Sequence, residues 1–431
     1  MRHYRWLPGL CFNGSAGCIL GQRVTIKLFC SRLSNLTKSR RVIVLSVSSL
    51  TPSILGFYGS AFLKIKLCDR IASRSLVCDR FIADSGDSRQ VLCSMLTGRH
   101  AASLPTNEFS SHLVSQLNAL AGETVFISDD PQLAIGAANA GFRQVQILDE
   151  RPIAMEELIE NTRMARLIGL AMQQLRQQPD LQLLWLHLDS LAVCWDAPWE
   201  FRGQWADEEG PQPREDNRPP SIHDSEFDPD ELLSWIYTYG DQVGLLDVVL
   251  ERLWQFVASE PESMFILTGT SGMSLGTHQW IGPHVGPLLS PRTQLPMLVY
   301  QSQLTSVRSA KLCQPACVAE TIGRFLLGDA WQSGNSKNLF ELSQPTSWAS
   351  DQLADELAVT IDGDELAIQT IDWHWYRSAA GDERLFRKPD DRLDFNNIID
   401  RASEVAELFR LNASQVRLAI ERGEQPRLEI T

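Results

Sequence analysis

The sequence predicts an α/β fold, in which a large and mostly parallel sheet is covered by helices. From Val42 onward, short apolar runs alternate with segments whose apolar residues recur at helical spacing, a pattern typical of parallel sheets. Two of the apolar runs also break into small polar residues, at Ser48-Ser49 and at Thr270-Ser271. Beyond about residue 345 the pattern changes to short strand-like pieces separated by turns, which predicts a small antiparallel sheet with a helix.

The elements follow in chain order from these patterns. Strands are expected where apolar and β-branched residues cluster, at 42–47, 124–127, 145–148, 181–188, 264–268 and 296–300. Helices are expected at 71–78, 91–96, 112–121, 131–140, 155–177, 229–257 and 319–327, with an interruption of the sixth near Gly240. In the C-terminal part, strands are expected at 357–361, 366–370 and 373–377, and a helix at 403–408.

These elements predict three parts of the chain. Residues 1–40 show no period and are expected to be a disordered basic tail, residues 41–344 to form the α/β domain, and residues 345–431 to form a small α+β subdomain. Segment 206–231 interrupts the α/β rhythm with ten acidic residues, two basic residues and four prolines before Pro229. Such a composition predicts an exposed acidic loop.

Charge and cysteine usage exclude several classes of protein. A net charge of -14 argues against a general binder of nucleic acid or anionic membranes. No apolar run is long enough for a membrane-spanning helix. The nine cysteines are odd in number and irregularly spaced, so a reducing compartment, the cytoplasm, is expected. The N-terminus only faintly imitates a signal peptide, because Asn13 and Ser15 interrupt its apolar region.

Four segments in a fixed order carry a resemblance to a known family. They are 42–59, which ends in Leu-Gly-Phe-Tyr-Gly, 88–99, which ends in Leu-Thr-Gly-Arg, 239–280, and 383–397. Together they resemble the sulfatase family of the alkaline-phosphatase-like superfamily. The resemblance implies an alkaline-phosphatase-like sandwich with a small C-terminal subdomain.

The resemblance also implies a metal site whose usual ligands are missing. Active members of the family hydrolyse sulfate esters with a calcium ion and a formylglycine made from Cys or Ser. The ligand-equivalent positions here are Ser48, Ser49, Thr270 and Ser271. A hydroxyl can join a coordination shell but supplies no charge to offset dehydration of the cation. We therefore expect no cofactor, and calcium only if the chain is an active enzyme.

The nucleophile-equivalent position falls on Ser88. The family's modification motif has Pro two residues later and Arg four residues later, where this chain has Gln90 and Leu92. Cys93 lies five residues on and is expected to be a buried thiol. The sequence has no lysine between Lys66 and Lys311, so the lysines with which the family grips sulfate have no counterpart there.

Other polar residues leave alternatives open. Arg99 could hold the nucleophile turn or cap a helix C-terminus, and His278 could be a relic of substrate contact or a hydrogen-bonded loop histidine. His187, Asp189 and Cys194 lie within eight residues and could form an activated thiol. His187 and Asp189 share one strand parity, which argues against that thiol site.

Taken together, these observations predict a sulfatase-like protein that lacks sulfate-ester hydrolysis and keeps a pocket for a small sulfated or phosphorylated ligand. The alternative is an active sulfatase- or phosphatase-type ester hydrolase with a shifted site that uses Ser88 or Cys93. A scaffold or interaction protein is a third class. It would show an exposed interaction surface in place of a pocket.

Overall fold

The computed structural model describes residues 40–104, 111–149, 151–206, 209–332, 336–342, 357–424 and 426. The basic tail predicted for residues 1–40 falls, except for Arg40, outside the described residues, and so does the predicted boundary at 344/345. The strands, in chain order, are β1 (Arg41–Val47), β2 (Ser75–Ile82), β3 (Glu123–Ser128), β4 (Gln144–Ile147), β5 (Leu181–Leu188), β6 (Ile222–His223), β7 (Ser263–Gly269), β8 (Met273–Leu275), β9 (Trp280–Pro283), β10 (Gln294–Leu295), β11 (Met297–Gln301), β12 (Val307–Cys313), β13 (Ala358–Asp362), β14 (Glu365–Gln369), β15 (Trp373–Arg377) and β16 (Glu383–Arg387).

The α-helices are also given in chain order. They are α1 (Lys66–Ala72), α2 (Ser88–Thr97), α3 (His112–Ala119), α4 (Pro131–Asn139), α5 (Arg163–Gln177), α6 (Ser190–Val193), α7 (Pro229–Ser259), α8 (Ser290–Thr293), α9 (Cys317–Leu327), α10 (Leu339–Leu342) and α11 (Ser403–Glu421).

The main sheet confirms the predicted α/β fold class. Its strand order is β10-β2-β11-β7-β1-β5-β3-β4, and β12 joins β2. β1 pairs in parallel with both β5 and β7, and β3 pairs in parallel with β4 and β5. The antiparallel pairs are those of β11 with β7 and β2, and of β10 with β2. The sheet is therefore mostly parallel, as expected for strands joined by helical crossovers.

Both faces of this sheet are buried under helices. Along β1, Ile43 and Leu45 belong to one apolar cluster and Val42 and Val44 to another, because successive strand residues point to opposite faces. The first cluster includes residues of α1, α5 and α7, and the second includes residues of α2, α3, α4 and α9. The result is a three-layer sandwich with a core on each side of the sheet.

A small antiparallel sheet stands at the C-terminal end, in the order β13-β14-β15-β16. Helix α11 packs on it through Phe409 and Val416, which share a cluster with Trp375. The expected strand pieces are confirmed, whereas the helix predicted at 403–408 continues to Glu421. A third sheet, β6-β9-β8, places two residues of the acidic segment against the chain that follows β7.

Three sequence-based predictions about elements are wrong. The helix predicted at 71–78 ends at Ala72, and β2 begins at Ser75, because the apolar residues after Ser75 alternate between the two faces of a strand. Helix α5 begins at Arg163 and not at 155, since the Thr162 side chain caps it by accepting from Ala165 N. Helix α7 runs through Gly240 without interruption.

Within the described residues, no helix combines the length and the apolar character that crossing a bilayer would need.

Candidate functional site

The candidate site lies where three neighbouring parallel strands end. β7, β1 and β5 are adjacent in the sheet, and their carboxyl ends lead into Thr270, Ser48 and Asp189. The backbone continues this pairing, since Ser48 N donates to Leu188 O and Thr270 N donates to Val47 O, both at 2.9 Å. The N-terminus of α2 brings Ser88 to the same edge. Ligands of open α/β sheets bind at such carboxyl ends.

Three hydroxyl groups meet at this edge. Ser88 Oγ lies 2.8 Å from Ser48 Oγ and 2.8 Å from Thr270 Oγ1. Ser48 Oγ and Thr270 Oγ1 are 3.3 Å apart. Ser48 and Thr270 are buried, and Ser88 is 7% exposed. Two of the four ligand-equivalent residues, Ser48 and Thr270, therefore form one hydrogen-bonded hydroxyl cluster with the nucleophile-equivalent Ser88.

His187 links the hydroxyl cluster to the interior of the sheet. Its Nε2 lies 3.4 Å from Ser48 Oγ, and its Nδ1 lies 3.0 Å from Ser46 Oγ. Ser46 Oγ accepts from Trp185 Nε1 at 3.0 Å and donates to Leu186 O at 3.2 Å. When the one Ser46 proton goes to Leu186 O, the ring proton lies on Nδ1 and Nε2 is an acceptor. Burial lowers the pKa of His187 to about 4, so the ring is neutral at pH 7.

A second pair of ligand-equivalent residues supports the turn behind the hydroxyl cluster. Ser49 adopts a left-handed conformation with φ of 60°, which non-glycine residues keep only where their surroundings fix it. Its N–H donates to Ser271 Oγ at 2.9 Å, and its carbonyl accepts from Tyr239 OH at 2.7 Å. Gly272 follows, and a Cβ added there would come within 2.1 Å of Pro291 O. These contacts hold the two strand ends together.

Carboxylates border the hydroxyl cluster on the β3 and β5 side. Burial and the neighbouring Asp129 raise the pKa of Asp189 to about 7, while a hydrogen bond with Ser48 lowers it. Asp129 accepts from Asp189 N at 2.7 Å and from Ser190 Oγ. Asp130 accepts from Arg89 Nε at 3.3 Å and caps α4 through Gln132 N. The oxygens of Asp129 and Asp130 are thus engaged within the protein, and Arg89 is already paired.

These side chains do not fit a divalent cation of the calcium type. Calcium requires several anionic oxygens around one point. Here the four ligand-equivalent side chains are neutral hydroxyls, and Ser48, Ser88 and Thr270 satisfy one another at hydrogen-bonding distances. Asp189 is the carboxylate that contacts Ser48. Among the residues that the structure describes, no three His, Cys, Asp or Glu side chains form a group that could hold a metal ion.

Two of the other candidate residues lie away from the hydroxyl cluster. Arg99 follows the opposite end of α2, about 15 Å from Ser88 at 1.5 Å per residue, and its Nη2 donates to Ser103 O at 2.9 Å. The His278 ring lies with Nε2 2.8 Å from Leu393 O and stacks at a tilt near Phe395. Both side chains bind backbone carbonyls, and no contact joins either of them to the hydroxyl cluster.

The cysteine candidates are poor nucleophiles. Burial, with Asp87 and Asp84 nearby, raises the pKa of Cys93 to about 12. Burial and Asp196 raise the pKa of Cys194 to about 12 as well. The thiolate is the reactive form, so neither residue is activated. Of the His187, Asp189 and Cys194 set, the structure brings the first two to the hydroxyl cluster through Ser48.

Sequence reasoning missed Ser46, Trp185 and Arg89. A signal was present for Ser46, since Ser46 and Ser48 share one face of a strand by the period of two. The register then sets Ser46 opposite His187. No local pattern marks Trp185 or Arg89, whose partners lie more than 40 residues away along the chain.

The sequence and the fold differ in what they match among known proteins. No family model and no curated protein matches the sequence. Solved structures do match: BT4656 in complex with its substrate D-glucosamine-2-N,6-O-disulfate has a TM-score of 0.70 at 14% identity, covering 90% of this chain and 99% of that one. BT1596, a 2-O GAG sulfatase, has a TM-score of 0.64 at 12% identity, covering 89% and 92%. A protein of the alkaline phosphatase superfamily from Vibrio parahaemolyticus has a TM-score of 0.57 at 15% identity, covering 88% of each chain.

These likenesses define the class of fold. The chain has the alkaline-phosphatase-like architecture that sulfatases share, and the fold predicted from the four sequence segments is confirmed. At identities of 15% or less the likeness extends to the fold alone. The activity of this chain must be argued from its own side chains.

Proposed function

We propose that this chain is a sulfatase-like protein that has lost the hydrolysis of sulfate esters. The observation that supports the proposal is the hydroxyl cluster itself. At the edge where a cation would have to sit, Ser88, Ser48 and Thr270 are close enough to hydrogen bond with one another. Neutral hydroxyls give no charge to hold a divalent ion, and a sulfate ester would meet neither that ion nor a lysine clamp.

A small sulfated or phosphorylated ligand stays the predicted partner. The guanidinium of Arg89 would pair with the anionic group of such a ligand, and the dipole of α2 favours negative charge near its first turn. Arg89 is, however, shared with Asp130, and Asp129 and Asp189 lie close by. Binding of such an anion at this edge would therefore be weak. A cytoplasmic location likewise stays a prediction. It rests on the cysteine pattern, and the described cysteines are buried.

Calorimetry with calcium and turnover of an aryl sulfate test the proposal together. Purified full-length protein is expected to give no heat of binding with calcium and no release of the phenol, with or without the ion. Ser88→Ala is the matched variant. Calcium-dependent turnover that Ser88→Ala abolishes would contradict the proposal, because it would require both the metal and the nucleophile.

A second candidate function is an ester hydrolase that uses Ser88 without a metal. The specific observation in its favour is the contact of Ser48 with His187 Nε2, since a histidine acceptor behind a serine pair is a possible base. Cys93, the other nucleophile of that alternative, is disfavoured by its raised pKa. This candidate adds an activity to the proposed function and does not restore sulfate hydrolysis.

A further inference from the structure

We propose that Ser88, Ser48 and His187 form a metal-independent proton relay that makes Ser88 Oγ a nucleophile toward a neutral carboxylic ester. The inference rests on the second candidate function and deepens it, because it names the bond that is cleaved and the residues that move the proton. It rests on one continuous chain of contacts. That chain runs from Thr270 through Ser88 and Ser48 to His187.

The relay uses one of the hydrogen-bond arrangements that these distances allow. His187 Nδ1 donates to Ser46 Oγ, so Nε2 carries a lone pair that faces Ser48 Oγ at 3.4 Å. For the relay, Ser48 turns its one proton from Asp189, with which it also hydrogen bonds, to Nε2 and accepts from Ser88 Oγ at 2.8 Å. Thr270 Oγ1, also at 2.8 Å from Ser88 Oγ, completes the chain as a donor to Ser88. In this arrangement each hydroxyl donates once, and the terminal acceptor is a neutral imidazole.

Among the residues of this proton relay, the inner members are fully buried and the nucleophile, Ser88, is the most exposed. His187 and Ser48 are fully buried, so water does not compete for the path of the proton. Ser88 is the outermost member, and its chain neighbours Asp87 and Arg89 are exposed. Ser88 is also the first residue of a ten-residue helix, whose dipole favours negative charge that develops at its N-terminus.

The charges around Ser88 favour a neutral substrate over an anionic one. Asp129, Asp130 and Asp189 lie on the β3 and β5 side of the hydroxyl cluster, and Arg89, which follows Ser88, is paired with Asp130 at 3.3 Å. A sulfate or phosphate monoester would bring like charge into this setting. An uncharged acyl ester would not, and it needs no metal to neutralise it.

The reaction then takes two balanced steps. Ser88 Oγ forms a bond to the carbonyl carbon while its proton moves to Ser48 Oγ and the Ser48 proton moves to His187 Nε2. The bond between the carbonyl carbon and the alcohol oxygen breaks, and the alcohol takes the proton back through Ser48, leaving the acyl group on Ser88. Water then cleaves the acyl-serine ester, releasing the acid and restoring the serine.

The test uses p-nitrophenyl acetate with the full-length protein in the presence of EDTA. The expected result is a burst of p-nitrophenolate and an acetyl group that peptide mass mapping places on Ser88. Ser88→Ala should remove both. Ser48→Ala and His187→Gln should each slow acetylation about a hundredfold, the usual size of a proton-transfer contribution. Ser48→Thr, which keeps the hydroxyl, should retain most of the rate, and Ser53→Ala, at an exposed serine, should leave it unchanged.

Circular dichroism and thermal melting identify the variants that fold, so that a loss of rate is scored only on folded protein. The absence of a burst, acetylation elsewhere than Ser88, or wild-type rates in both Ser48→Ala and His187→Gln would overturn the proposal. Loss of rate in Asp189→Asn with an unchanged His187→Gln would overturn the part assigned to His187. Calcium-dependent turnover of an aryl sulfate would contradict the proposed function alone, since every acetylation assay contains EDTA.

Discussion

Lys388 and Asp394 form a buried ion pair, with Nζ 2.6 Å from Oδ1. The second carboxylate oxygen accepts from Ser290 N at 2.7 Å and lies 3.0 Å from His374 Nδ1. Lys388 Nζ also donates to Ser290 Oγ at 3.0 Å. Ser290 begins α8, just before β10 of the main sheet, and the other three residues lie in β15 or after β16 of the C-terminal sheet. The ion pair therefore connects the C-terminal sheet region to the segment before β10.

Removal of the lysine should destabilise the protein strongly. Lys388→Met leaves Asp394 buried without its cation, and breaking a buried pair in this way costs about 3–5 kcal/mol. Arg387→Met is the matched control, because the neighbouring Arg387 pairs with Asp372 where both side chains are about half exposed, a contact worth about 0–1 kcal/mol. Urea denaturation measures both. Equal shifts of the two midpoints would show that burial of the Lys388 pair does not matter.

Asp241 should make folding stability depend on pH near neutrality. Burial raises its pKa to about 7, although Gly203 N–H and Arg202 lower it. Between the ordinary carboxyl pKa of about 4 and 7, the folded protein holds a proton that the unfolded chain releases, so stability falls as pH rises through this range. Asp241→Asn should remove the contribution of this one group and melt higher than wild type at pH 8, while Asp189, whose pKa is also about 7, keeps its own contribution. Asp230→Asn, at an exposed position of the same helix, should follow the wild-type curve.

Restored carboxylates should restore cation binding. In Ser48→Asp/Ser49→Asp/Thr270→Asp, three buried negative charges repel one another, and the variant should melt below wild type without calcium. Calcium should raise its melting temperature, by an amount that corresponds to about 3 kcal/mol at a hundred times the Kd. The triple Asn variant carries the same bulk without charge and should not respond. A calcium response in wild type would contradict the expected absence of a tight site.

Cys93 should resist alkylation in the native protein. Burial and two nearby carboxylates raise its pKa to about 12, so the thiolate that reacts with iodoacetamide is scarce at pH 8. Peptide mass mapping should show labelling of Cys93 about a hundredfold or more slower before denaturation than after it. Rapid labelling in the folded state would show that the Cys93 thiol is reactive, and Cys93 would again be a candidate nucleophile.

The sequence predicted the parts of the fold that carry a strong local period. β1, β5 and β7 are largely apolar runs between amphipathic helices. In the folded protein each is a buried strand, which is the structure that its residues favour. The junction of α1 and β2 was predicted wrongly, because the run from Ile71 to Cys78 is short and apolar, and such runs do not distinguish a helix from a strand.

The candidate site was likewise predicted only in part. Ser48, Thr270 and Ser88 could be placed because each marks the end of a recognisable element. The contact of Ser48 with His187 could not be placed, since it joins residues 139 positions apart. Only the parallel pairing of β1 with β5 brings those residues together. Protonation states of the carboxylates could not be predicted either, because they depend on burial that no local pattern encodes.

The hydrogen bond from Trp185 Nε1 to Ser46 Oγ makes Trp185 a spectroscopic reporter of the sheet edge where the hydroxyl cluster lies. The indole is fully buried and is connected through Ser46 to the imidazole that faces the serines. A change in the protonation of that imidazole would alter the field at the indole ring. Incorporation of 5-fluorotryptophan, with assignment by a Trp185→Phe variant, would turn this one ring into a fluorine NMR signal that registers events at Ser88 from inside the sheet.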